Sequence, residues 1–217
     1  MSEITGILEK LKGTKEAEIL EKIEASYEKI AAAQKTWYEK SSVLCPSGCG
    51  QCCHNFEPDL LSSEALYMAA WLLENQAETA EKVAAGIFPF ENGKTCLFHD
   101  FNNPYHCTIY GGRAFICRLF GASGGKGKHT EVVWKPCKFY PQNELQKFKP
   151  PLAHRQYSQE ELLEEFGILP PVMSNFLEEA VSFEPGNAKT RLLREILPDA
   201  VRRLKWIAFM NSGNIAS

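Results

Sequence analysis

Eight cysteines, all between positions 45 and 137, are the residues of this chain with the most chemistry to offer. Four stand in one short stretch, CPSGCGQCC, as Cys45-x3-Cys49-x2-Cys52-Cys53. A thiolate is both a nucleophile and a soft metal ligand. Two thiolates three positions apart in a glycine-loosened turn can converge on one centre, and C-x2-C is the spacing of structural zinc sites and of ferredoxin-type cluster ligation. Glycine also lets backbone N–H groups approach sulfur and steady its charge. Directly adjacent side chains project apart, so Cys52 and Cys53 are expected to serve different sites, or one of them to be a spare.

The other four, Cys96, Cys107, Cys117 and Cys137, are spaced on the scale of short connected elements and can reach the first group only through tertiary folding. Four ligands complete a tetrahedral zinc site or a cubane cluster, so eight make two sites, or one site with several non-ligands. A free cysteine is also a small buried hydrophobe. Spacing favours ligation at Cys45, Cys49 and Cys52; for Cys117 and Cys137 ligand and core filler stand level. Arg113 and Arg118 flank Cys117 and could offset thiolate charge, grip an anionic substrate, or be structural arginines. His54, His99 and His106 lie close to cysteines and could complete a mixed zinc site, though they rank below the thiols. Tyr110, Phe98, Phe115 and Phe120 are expected to wall the centre against water. GASGGKGKH lacks the P-loop order and is expected to be a mobile loop.

The net charge of −3 gives no basic stripe for nucleic acid, and no apolar run approaches bilayer length. The first residues mix acids with lysines and show no apolar h-region, which argues against a signal peptide and for a cytoplasmic chain with reduced thiols. The cysteines are therefore expected to hold an iron–sulfur cluster, [4Fe-4S] before other types, in a redox or cofactor-site role, or else zinc that staples an interaction module, and a partner would be a protein or a small molecule. The surplus of thiols and aromatics over the needs of one zinc favours the cluster.

Around them the chain is mainly helical. Leu20, Ile23, Tyr27, Ile30 and Trp37 recur at three- and four-residue steps and predict a helix over 14–40, packed on its own domain rather than forming a coiled-coil seam. Pro46, Gly48 and Gly50 stop it. Ser62 or Ser63 can cap EALYMAAWLLE, and AETAEKVAA ends at Gly86. Within 87–157, TCLF, CTIY and EVVW suggest small strands. Ser158 and Glu161 form a capping box, Asn187 begins NAKTRLLREIL, and Pro198 is placed to open a last helix. The expected architecture is mainly α, with helices clasping an irregular cysteine-rich middle that has a few short strands. Its parts are an N-terminal amphipathic helix (1–44), a cysteine-cluster domain (45–157) and a C-terminal helical segment (158–217).

CPSGCGQCC, then TCLF, then PYHCTIYGGRAFICRLFG resembles the YkgJ-like cysteine-cluster family, whose signature is CxxCxxCC and which is described as chelating zinc or iron. The family's second motif, approximately C-x-I-Y-x-x-R-P-x-x-C-R, falls on Cys107, Ile109, Tyr110, Arg113, Cys117 and Arg118. The resemblance implies metal chelation over about residues 45–137 and defines no reaction. Two departures stand out: the first gap holds three residues, and Ala114 replaces the family proline, which would relax the turn after Arg113. One branch resembles flagellin lysine-N-methylases, in which an iron–sulfur cluster accompanies methyl transfer; those chains are longer, and nothing here marks a methyl-donor domain. C-x3-C-x2-C also matches radical S-adenosylmethionine enzymes, but that fold needs repeated strand–helix units, and Gln51 stands where an aromatic is usual.

Overall fold

A computed structural model describes residues 2–45, 49–91, 93–103, 106–184 and 188–214. Its first helices are α1 (Thr5–Lys10) and α2 (Lys15–Ser41). Thr14 caps α2, its Oγ1 accepting from the Ala17 N–H at 3.2 Å. The predicted stripe of Leu20, Ile23, Tyr27, Ile30 and Trp37 is buried against the same chain, so the packing is intramolecular. Gln34, the polar residue in that stripe, donates to the Arg118 carbonyl. The helix ends where Ser42 turns left-handed, at φ 57°.

A two-residue strand, β1 (Asp59–Leu60), leads into α3 (Ser62–Asn75) and α4 (Ala77–Ala84). Gly86 takes φ +79° just past α4, as a helix stop requires. After the cysteine-rich stretch come α5 (Phe115–Leu119), the paired β2 (Gly125–Lys126) and β3 (Val132–Val133), α6 (Gln142–Leu145), α7 (Gln159–Phe166) and α8 (Met173–Ser182). The chain closes with β4 (Arg191–Leu192), antiparallel to β1, and the long α9 (Leu193–Asn214). The fold is mainly α with a few short strands. No helix among the described residues is long and apolar enough to cross a membrane.

Two hydrophobic cores share α2. The larger gathers Leu20, Ile23 and Tyr27 with α3 and the Leu193, Leu197, Val201 and Leu204 face of α9. The smaller surrounds Trp37 with Trp134, Leu145, Tyr157 and Leu162. One helix thus contributes to both cores, and Cys53, Cys96, Cys107 and Cys117 pack with the larger one.

Several local expectations are corrected. The cap of α3 is not a serine: Ser62 is already helical, and the Glu64 carboxylate reaches back to accept from the Leu61 N–H at 2.8 Å. TCLF and CTIY are not strands among the described residues: a turn closed by the His99 N–H on the Cys96 oxygen at 3.0 Å follows Cys96, and the two pieces are joined near it by a His99–Cys107 bridge. EVVW does supply β3. Its partner β2 lies inside the glycine-rich segment expected to be a mobile loop. Gly124 there is buried, and an added Cβ would stand 2.6 Å from the Val133 oxygen, so glycine permits close pairing rather than motion. Pro198 lies inside α9 instead of opening it. The helix starts earlier because its first turn is buried and anchored: the Leu193 N–H bonds to the Pro58 oxygen at 3.0 Å, and Arg194 pairs with Glu57 at 2.5 Å. At α7 the Ser158–Glu161 capping box is present in both directions. Pro46, Gly48 and Asn187 lie outside the described residues.

Glu64 also accepts from the Phe115 N–H at 2.7 Å, which starts α5 and so positions Cys117. Burial raises its carboxyl from 4.5 to about 7, against the pull of the Leu61 and Phe115 N–H groups. A carboxyl raised on folding contributes stability that is fully present below pH 4.5 and is lost as pH rises through about 7. The span corresponds to on the order of 3 kcal/mol. Urea midpoints of the native chain and of Glu64→Gln, followed from pH 4.5 to 8, should therefore converge or cross as pH rises, the glutamine variant gaining by that amount. A pH-independent difference would mean that Glu64 is ionised throughout.

Candidate metal centre

The end of α2 delivers the first cysteine. The Val43 N–H bonds to Ser41 Oγ at 3.1 Å, Val43 is buried, and Cys45 emerges at the surface. Beyond it, Gly50 takes φ +51°, and the space its Cβ would fill is occupied by the His106 ring. Only glycine meets both conditions there. The Cys53 N–H then bonds to the Gly50 oxygen at 3.0 Å and closes a 3-10 turn over Gln51–Cys53.

That turn binds the second cysteine segment directly. The Cys96 N–H donates to the Cys53 oxygen at 3.3 Å, and the Asn55 N–H to Thr95 Oγ1 at 3.2 Å. The strand of chain from Cys96 folds back on itself, with the Thr108 N–H on the Phe98 oxygen at 3.0 Å, and so sets Cys107 beside Cys96. Cys117 enters on α5. Four segments distant in sequence thus meet.

Cys45, Cys49, Cys52, Cys53, Cys96, Cys107 and Cys117 line one cavity of about 820 Å³. Cys137 does not line it, but its thiol lies within electrostatic reach of Cys45. All eight cysteines are free thiols. Cys52 and Cys53 do not project apart: both line the cavity, because the tight 3-10 turn rotates successive side chains less than a strand does.

The thiols form an inner and an outer group. Cys53 senses Cys52, Cys96 and Cys117, and Cys117 senses Cys96, Cys107 and Cys52. Cys45 instead senses Cys49, Cys52 and Cys137. A hydrogen bond from Cys53 holds Cys52 down to about 7 despite its burial, and the same bond, with burial, pushes Cys53 up. Burial raises Cys96 to about 12 and Cys45 to about 11, and lifts Cys107 and Cys117 as well. The Arg113 guanidinium pulls Cys45, Cys52, Cys107 and Cys117 the other way. No group of three or more described His, Cys, Asp and Glu side chains is drawn together tightly enough to hold a metal ion.

Of the accompanying residues, Arg113 and Tyr110 line the cavity, with the Arg113 guanidinium 3.3 Å from the Tyr110 ring centre. Arg118 does not line it. It stacks on Tyr27 at 3.8 Å, bonds from Nε to the Arg113 oxygen at 2.9 Å and donates to the Gly111 oxygen, so it braces the 110–113 turn against α2. Phe120 is on the cavity wall, whereas Phe98 and Phe115 are fully buried in the larger core. His54, His99 and His106 pack ring against ring, with centres 5.0 Å apart in each successive pair, as a group beside the thiols. Burial lowers His99, and the neighbouring His54 and His106 lower it further. Gln76, Asn103 and Thr108 complete the polar lining and carried no signal in the sequence. Gln76 is placed by its position between α3 and α4, where its amide donates to the Thr108 oxygen at 2.7 Å.

The profile of one protein family matches residues 44–150: CxxCxxCC, a "putative zinc- or iron-chelating domain". That is the family that the two cysteine motifs resemble. No curated protein and no solved structure matches the chain. The match supports metal binding in general, of zinc or iron. The family's proline position is Ala114, with φ −64° and complete burial. That is the φ a proline ring would impose, so the turn after Arg113 keeps its shape without it.

Proposed function

We propose that the CxxCxxCC domain of this chain holds an iron–sulfur cluster, of the [4Fe-4S] type, in a redox or cofactor-site role. The observation that carries the reading is the spread of the thiols: seven cysteines line one cavity, and no described trio closes on a single point. A tetrahedral zinc with four Zn–S bonds of about 2.3 Å needs its sulfurs about 3.8 Å apart. A cubane bound by four cysteines accepts thiols spread around a wider body. The donors fit either metal chemically, so spread, and not ligand type, separates the readings.

Cys52, Cys53, Cys96, Cys107 and Cys117 are the inner set from which four ligands come, with Cys45, Cys49 and Cys137 outside it. Phe120 and the buried Ile109 line the wall beside the thiols. When bound, a cluster would supply a one-electron couple whose potential those neighbours tune. Anaerobic purification tests this: broad visible absorption with iron and acid-labile sulfide in equal amounts is the expected result. A colourless chain carrying stoichiometric zinc would overturn it.

A further inference from the structure

The cavity is larger than its thiols require, and one part of its lining has no role in holding metal. About 820 Å³ is the size of a small-molecule pocket, whereas a metal centre fills a fraction of it. Arg113 is the only cationic side chain lining it among the described residues, and no Asp or Glu lines it. The Arg113 Nε is bonded to the Tyr110 oxygen at 2.9 Å, and the ring of Tyr110 supports the guanidinium plane at 3.3 Å. Its two Nη groups make no hydrogen bond or ion pair with any described residue. One edge of the fork is thereby fixed, and the side chain lines the cavity. Met68, Ile109, Phe120 and Leu193 give the same cavity an apolar flank.

We propose that this cavity contains, beside the thiols, a subsite for a small monocarboxylate with an apolar body, its carboxylate taken by the Nη edge of Arg113. A planar fork held on an aromatic face suits a carboxylate, which it can meet with two parallel N–H···O bonds. A phosphate would call for several cations or a nest of backbone N–H groups, and the lining supplies one guanidinium. The apolar flank discriminates against compact inorganic anions and favours a hydrocarbon or aromatic body of a few carbons. The subsite rests on the metal-centre reading only in that metal occupies the thiol end of the cavity.

The test uses the full-length, metal-loaded chain, with 4-phenylbutyrate as probe, 4-phenylbutyramide as its uncharged counterpart, and calorimetry as the readout. Metal content is measured in parallel by mass spectrometry, so that failure of the metal-centre reading is seen separately. The expected result is one carboxylate per chain, with the amide about 10- to 100-fold weaker, the range of a charge-assisted pair. Arg113→Gln should lose carboxylate binding by a similar factor while keeping its metal. Arg113→Lys keeps the charge but not the fork, and should bind several-fold more weakly than the native chain. Equal binding of acid and amide, no binding of either, or native affinity in both variants would overturn the subsite. So would loss of metal in Arg113→Gln, which would assign the guanidinium to charge compensation of the thiolates.

Discussion

Cys96→Ser and Cys117→Ser, made together, are expected to leave the chain without its metal. The inner group holds five thiols, and a four-ligand centre drawn from them cannot be completed when two are gone, whichever four serve. Metal per folded chain should fall to below about a tenth of the native value. Because a metal that binds only the folded state adds its binding free energy to stability, the loaded chain should lose on the order of 5–10 kcal/mol. Its unfolding midpoint should then coincide with that of the native chain stripped of metal. Serine is nearly isosteric, so the stripped forms should differ little, and that comparison separates loss of ligand from loss of packing. Cys45→Ser and Cys137→Ser, each alone, are the contrast. Cys45 is exposed at the cavity rim and Cys137 lies off its wall, and both variants should keep their metal. If either strips the chain as thoroughly as the double change, the outer thiols are ligands and the inner set is the wrong one.

Trp37→Ala should lower stability by about 3–5 kcal/mol, the range for a fully buried large aromatic. Trp37 meets Trp134 and Phe166 edge to face, with ring centres 5.5 and 5.2 Å away, and joins the end of α2 to the smaller core. Its Nε1 has no hydrogen-bond acceptor among the described residues, so Trp37→Phe gives up less than its change in size suggests and should cost about 1 kcal/mol. The damage should be uneven. Hydrogen exchange in Trp37→Ala should accelerate through Trp134, Leu145 and Leu162, while α3 and the buried face of α9 keep their protection. Those belong to the other core and touch α2 nearer its start. Metal content should persist, since the inner thiols hang from the larger core. Uniform acceleration throughout would show that the two cores unfold as one.

Residue type and local spacing determined a good deal of this protein. The stripe from Leu20 to Trp37 dictates α2 and its buried face, and the Ser158–Glu161 pair dictates the start of α7, because both depend on residues within a few turns of one another. The order of the two cysteine motifs sufficed to point to the family and to metal. Where the outcome depended on distant neighbours, local rules chose wrongly or were silent. Pro198 would open a helix in isolation, but the buried Leu193 turn, tied to β1, begins it earlier. Arg113 and Arg118 look alike in sequence. The fold turns one into the cavity and stacks the other on Tyr27, over eighty residues away along the chain. Cys52 and Cys53 share a cavity only because the Gly50 turn packs on His106 and hands Cys53's carbonyl to Cys96. The thiols themselves are written in the sequence. Which of them meet is set by backbone hydrogen bonds between segments that only the folded chain brings within reach.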